Sequence, residues 1–102
     1  MRLPGNMQKA MQQAQQMQEQ LQKQIAEIRV EASTGGGMVT VKMDGQKKVL
    51  DVKIDADAAQ DVEMLQDMIR GAVNEAGKRV DDEAQQKMGG MLGGLGLPPG
   101  LF

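Results

Sequence analysis

With 102 residues, no cysteine, no histidine and one aromatic residue, the chain is long enough for only one small domain. The missing residue types exclude disulfides, thiolate nucleophiles, imidazole bases and Cys/His zinc sites. Twelve basic and fourteen acidic side chains give a net charge of −2, which is not the basic footprint that nucleic-acid binding usually leaves.

The apolar composition limits the fold as well. The core must be built from aliphatic residues and from ten methionines, which fill gaps but specify shape poorly. A monomer of this kind buries too little apolar surface to offset its chain entropy, so we expect a homodimer. The N-terminal residues lack the apolar run of a secretory signal, and no run reaches the roughly 18 apolar residues of a membrane span. We therefore expect a soluble cytoplasmic protein.

The first predicted element is a long amphipathic helix from Asn6, its N-cap, to about Ile28. Its apolar residues recur at intervals of three and four, which is the spacing of one helix face: Met7, Met11, Ala14, Met17, Leu21, Ile25 and Ile28. Glutamine fills most of the remaining surface. These glutamines are either an ordinary polar surface or contacts for phosphates and adenine edges.

Three short strands with a period of two follow the helix. In chain order they cover residues 28–32, 38–43 and 49–54. Gly35–Gly37 separates the first two, and Asp44–Gly45 is a strong hairpin signal between the last two. Because the connections are short, we expect an antiparallel meander. In the third strand, alternation places one set of residues on one face and a second set on the other: Leu50, Val52 and Ile54 against Val49, Asp51 and Lys53.

A second long helix is predicted from its N-cap, Asp61, to about Met88. Its apolar residues again recur at intervals of three and four: Val62, Leu65, Met68, Ile69, Ala72, Val73, Ala76, Val80 and Ala84. Gly71 and Gly77 lie inside this helix and indicate close packing by another element.

Gly89–Gly90 are expected to stop the second helix. The predicted fold class is therefore α+β in the order α-β-β-β-α, with a three-stranded antiparallel meander, two long helices and a tight homodimer. We divide the chain into a folded dimerisation domain over residues 1–88 and a Gly/Leu/Pro-rich apolar tail over residues 89–102.

Two groups of residues could suggest chemistry, but both fit structural roles better. Gly35–Gly37 could cradle a phosphate, yet the Lys-Ser/Thr of a P-loop is missing and a strand follows it. Asp55 and Asp57 suit a turn before a helix, and the acidic residues 81–83 suit a helix surface, with no EF-hand pattern around either. We expect no enzyme activity, no metal site and no cofactor.

The sequence as a whole resembles the YbaB/EbfC family of bacterial nucleoid-associated proteins. The resemblance rests on the Met/Gln-rich opening helix and on segments in a fixed order: 30–39, 49–55, 61–67, 72–76 and 93–102. It implies an α-β₃-α fold that forms a tight, tweezer-like homodimer with projecting helices. It also implies that the protein binds DNA, alters its conformation and takes part in nucleoid organisation and gene regulation.

The predicted DNA contacts form two surfaces. The first comprises Lys9, Lys23, Gln12 and Gln16 of the opening helix, where Lys9 has no acidic residue three or four positions away. The second comprises Lys78, Arg79 and Lys87 of the second helix, although acidic residues at helical spacing could pair with all three. With so few cations, we expect contacts mainly to phosphate and low sequence preference.

An alternative remains open, in which the dimer is an interaction module that clamps another polypeptide and associates with DNA only incidentally. Its motives are the acidic charge balance and the apolar tail. On the leading hypothesis the partners are double-stranded DNA and a second copy of the chain, with no membrane and no small-molecule substrate, and the location is the nucleoid of the cytoplasm.

Overall fold

The computed structural model describes residues 5–94, with side chains described for residues 5–90. The elements in chain order are α1 (Gly5–Ala26), β1 (Arg29–Thr34), β2 (Val39–Asp44), β3 (Val49–Ile54) and α2 (Val62–Gly94). Short 3₁₀ turns lie at Gly35–Gly37 and Ala58–Gln60. This order confirms the predicted α+β fold with two long helices.

The strands form the predicted antiparallel meander, in the order β1-β2-β3. Side chains on one face of β1 and β2 are buried and those on the other face are largely exposed, as alternation requires. β1 runs to Thr34, two residues beyond its predicted end, because Ser33 pairs with Thr40 and Thr34 pairs with Val39.

The core lies between this buried face and α2, which packs across β1 and β2 and contributes Ala72, Ala76 and Val80. Within residues 5–90 the buried hydrophobic residues are Ile28, Val30, Ala32, Val39, Val41, Met43, Ala58, Ala72, Ala76 and Val80. Four of these ten are alanines and none is aromatic. The interior of one subunit is therefore small, which agrees with the expectation drawn from composition.

β3 lies at the edge of the sheet, and all six of its residues are exposed. A register shift at Lys42/Met43 places Val49, rather than Leu50, opposite the buried Met43. Leu50 instead lines a shallow depression together with Arg29 and Lys42 of the solvent-facing side. The predicted alternation in this strand was therefore wrong at its first two residues, because the bulge inserts one extra residue into β3.

The helix ends also differ from the prediction. Gly5 already belongs to α1, so Asn6 lies in the first turn and is not the N-cap. α1 ends at Ala26 because Ile28 is buried in the core and leaves the helix. Asp61 is confirmed as the N-cap of α2, since its Oδ1 accepts a hydrogen bond from the Met64 N–H at 3.1 Å.

Gly89–Gly90 do not stop α2, which continues to Gly94. Glycine ends a helix by taking a left-handed conformation, and neither of these two residues has a positive φ. Inside a helix each glycine only lowers stability by about 1 kcal/mol relative to alanine. The division at residue 88 stays a prediction, although it falls within α2. Residues 95–102 of the predicted tail lie outside the described residues.

Candidate nucleic-acid interface

α1 projects from the body of the protein. None of its residues is buried, and the described molecule measures 68 × 25 × 18 Å. The apolar residues at its base, Leu21 and Ile25, are half-buried, and Ile25 packs against the core. Towards the other end Met7 and Met11 are 52% and 53% exposed. α1 is therefore an arm that is fastened at its C-terminal end.

The structure brings the four predicted contact residues of α1 onto one face. With 3.6 residues per turn, Lys9, Gln12, Gln16 and Lys23 fall within a sector of about 60°, opposite the apolar stripe. All four are exposed. Among the described residues neither lysine takes part in an ion pair. Residues 5–18 contain Lys9 and no acidic residue, so this half of the arm is weakly positive in an acidic protein.

The second predicted surface is not one surface. Lys78 and Arg79 point about 100° apart on α2, and Lys87 points about 180° from Lys78. Lys78 lies on the flank of α2 beside the β2–β3 hairpin, whereas Arg79 lies on the flank beside β1. Lys87 is half-buried on the side of the helix that carries Val80. Neighbouring positions in the sequence diverge here because they belong to a helix.

Arg79 is already occupied by contacts within the chain. Its Nη1 donates to the Glu31 carbonyl at 2.6 Å and its Nε contacts Glu75 at 3.4 Å, which is the ion pair that helical spacing predicts. The first contact links α2 to β1. The sequence could not reveal it because Glu31 and Arg79 are distant along the chain.

Lys47 pairs with Asp81 at 2.9 Å and fastens the β2–β3 hairpin to α2. This ion pair was also missed. The hairpin itself is as predicted, but its left-handed residue is Lys47, with φ 64°, and not Gly45. A three-residue loop whose last residue is left-handed is a common hairpin form. Asp44 closes the loop, because its Oδ1 accepts from the N–H groups of Gln46 and Lys48 at 2.9 Å.

Charges on the solvent-facing side of the sheet are balanced. Cross-strand neighbours of opposite sign lie side by side: Arg29 with Asp44, Glu31 with Lys42, and Lys42 with Asp51. Such pairs neutralise each other locally. This face therefore offers no concentrated positive charge to a polyanion, in contrast to the first half of α1.

A second feature of the structure is an exposed apolar face on β3. Val49, Val52 and Ile54 are 39%, 40% and 43% exposed, although Val52 and Ile54 lie opposite the fully buried Val41 and Val39. They share the helix-facing side of the sheet, but α2 does not reach them. We call these three residues the β3 apolar face.

The flank of α2 that carries Val73 and Gly77 lines a separate depression, together with Met43 and Lys47. A Cβ placed on Gly77 would meet nothing within 4 Å, whereas one on Gly71 would lie 3.3 Å from Thr34 Cγ2. Close packing was predicted at both glycines. Within the described chain it is confirmed at Gly71, and Gly77 faces open space.

Comparison with known proteins agrees with this architecture. Residues 4–95 match the family model described as the YbaB/EbfC DNA-binding family. The chain belongs to the YbaB/EbfC family. It is 56% identical to a nucleoid-associated protein of Halalkalibacterium halodurans, with 100% of both chains covered. It is 53% identical to nucleoid-associated protein YaaK of Bacillus subtilis, with 96% of this chain and 95% of the relative covered.

The fold of this chain is also found in a solved structure. The crystal structure of an uncharacterized protein from Helicobacter pylori superimposes with a TM-score of 0.63 at 25% identity, covering 76% of this chain and 92% of the other. In the part of this chain that the structure describes, no helix has the length and apolar character needed to cross a bilayer.

Proposed function

We propose that the protein is a non-enzymatic, nucleoid-associated protein that binds duplex DNA as a homodimer and alters its conformation, with low sequence specificity. Its place is the bacterial nucleoid, and its role is in nucleoid organisation and gene regulation. The observation that carries the proposal is the combination of an exposed Lys/Gln face on a projecting helix with family membership.

The β3 apolar face supports the homodimer. Its three aliphatic side chains are 39–43% exposed on the edge strand of the sheet. A two-fold arrangement would pack the same face of a second copy against them, because a symmetric interface uses one surface twice. Covering these residues would enlarge the small interior of each subunit.

The α1 face supports the DNA contact. Lys9 and Lys23 are about 21 Å apart along the helix, so one arm would follow a stretch of phosphate backbone. Gln12 and Gln16 lie between them and donate hydrogen bonds to phosphate or base edges without repelling the polyanion. Two arms carry four lysines on this face, which corresponds to a slope of log K against log salt of about −4. Lys78, Arg79 and Lys87 stay as predicted additional contacts.

A gel-shift salt series on unrelated duplexes tests the proposal. The variant Lys9→Glu plus Lys23→Glu should weaken binding and flatten the salt slope without loss of the dimer, because two phosphate contacts per arm are removed. The matched control is Lys48→Glu plus Lys53→Glu, which changes the net charge equally at exposed positions of the hairpin and sheet.

Equal losses of DNA affinity in the two variants would indicate general charge repulsion and would contradict an interface on α1. Unchanged binding in the first variant would remove α1 from the interface. If the wild-type protein fails to shift any duplex at low salt, the alternative of a clamp on another polypeptide is favoured. The exposed Met7 and Met11 on the arm are the observation that supports that alternative.

A further inference from the structure

The C-terminal end of α1 packs tightly against the β2–β3 hairpin at Gly45. A Cβ placed on Gly45 would lie 2.6 Å from the Ile25 carbonyl carbon and still closer to its oxygen, where ordinary contact begins at 3.4 Å. Gly45 does not have a positive φ. Glycine is therefore required at this position for space under the helix and not for backbone conformation.

A second contact fixes the same end of α1. Arg29, the first residue of β1, donates from Nη1 to the carbonyl oxygens of Ala26 and Ile28 at 2.8 Å each. The Ala26 carbonyl lies at the C-terminus of the helix, where the helix dipole is negative and a cation is favourable, and the Ile28 carbonyl lies in the connection to β1. Arg29 therefore closes the link between α1 and the sheet.

Pressure between Gly45 and Ile25 would move the helix and not the hairpin. Asp44 holds the hairpin through two hydrogen bonds to its loop, and Lys47 ties the loop to α2. α1 has no fully buried residue, and only its base, where Ile25 packs against the core, is supported. A clash would therefore displace α1 and leave the hairpin in place.

We propose that Gly45 and Arg29 are positioning residues for the DNA-binding arm: Gly45 sets the angle between α1 and the sheet, and Arg29 limits its spread. The inference rests on the proposed function, because the angle decides whether Lys9 of each arm reaches phosphate when two arms hold one duplex.

A small displacement of α1 at Ile25 produces a large displacement at the far end of the helix. A methyl group at position 45 requires the Ile25 carbonyl carbon to move by about 0.8 Å to restore ordinary contact, and the carbonyl oxygen, which lies closer, to move further. Lys9 lies sixteen residues further along α1, about 24 Å, whereas Ile25 lies only about 5 Å from Ile28, where the chain enters the sheet. A rotation about that point displaces Lys9 by at least about 5 Å, which exceeds the tolerance of a hydrogen-bonded phosphate contact.

Distance measurements within one chain test whether Gly45 and Arg29 position α1 relative to the sheet. Because the chain has no cysteine, spin labels can be placed on the exposed positions Gln8→Cys and Gln85→Cys, with labelled chains diluted into unlabelled protein. Gly45→Ala should shift the mean distance from the wild-type value by several ångströms, because the long helix turns a small movement at Ile25 into a displacement of at least about 5 Å at its far end. The matched control, Gly89→Ala, adds the same methyl group where nothing lies within 4 Å and should cause no shift.

Arg29→Ala should broaden the distance distribution without the same shift of its mean, and Arg29→Lys should restore part of the width because lysine still donates hydrogen bonds. This pair tests the positioning of α1 even if Gly45→Ala does not fold. In gel shifts Gly45→Ala should flatten the salt slope by about 2, one lost contact for each arm.

An unchanged mean distance in Gly45→Ala would refute the positioning role of Gly45. An unchanged width of the distance distribution in Arg29→Ala would refute that of Arg29. A shifted arm with wild-type affinity and salt slope overturns its role in DNA binding. If wild-type protein binds no duplex, the proposed function fails, while the distance measurements still decide whether Gly45 and Arg29 set the arm.

Discussion

Replacing Val52 with aspartate should separate the proposed homodimer. Val49, Val52 and Ile54 keep 39–43% of their surface exposed in one subunit. Full burial of such a side chain contributes about 1.5–3 kcal/mol, so covering the exposed remainder contributes about 0.6–1.3 kcal/mol per residue. Six residues from two copies then contribute about 4–8 kcal/mol to association, by the same proportion.

Val52→Asp removes two of these six side chains and leaves two carboxylates without partners in an apolar interface. Desolvation of each unpaired charge costs several kcal/mol. A loss of at least ~5 kcal/mol raises the dimer dissociation constant by at least ~1,000-fold. Sedimentation velocity over a concentration series measures this constant directly, and circular dichroism reports whether the helices persist.

Leu50→Asp is the matched control. Leu50 belongs to the same strand and is 47% exposed, but the bulge turns it to the solvent-facing side near Arg29 and Lys42. Strict alternation from the sequence would place it beside Val52, so the two variants separate the two placements. A dimer that survives Val52→Asp, or that Leu50→Asp disrupts as strongly, would refute the assignment of the interface to the β3 apolar face.

Two further predictions concern backbone conformation. Lys47→Gly should raise the free energy of unfolding by about 1 kcal/mol in urea melts, because the left-handed φ of 64° strains any residue with a Cβ. The comparison is made in the Asp81→Ala background, where the ion pair of Lys47 is already absent. An equal or lower stability would contradict that strain. Gly35→Ala should lower stability more than Gly36→Ala. Both residues have a positive φ, at 62° and 67°, but only a Cβ at Gly35 would overlap the Met68 sulfur. Equal losses in thermal melts would show that Met68 moves aside freely.

The sequence alone determined the elements and their order. The periodicities of three to four and of two come from which side chains must face one core, and that requirement is written along the chain. The same reasoning located the N-cap at Asp61 and the shared face of Lys9 and Lys23, because both depend on residues close in sequence. The small aliphatic interior also follows from composition.

Tertiary structure decided everything that depends on how elements meet. The bulge at Lys42/Met43 exchanges the faces of Val49 and Leu50, and no local pattern marks it. Gly45 looked like a turn residue, but its lack of a side chain makes room for Ile25. Arg79 also binds the Glu31 carbonyl, a contact between α2 and β1 that its spacing in the sequence does not predict. Periodicity reports which side of an element is apolar, whereas register, steric contact and long-range pairing arise only when distant segments are brought together.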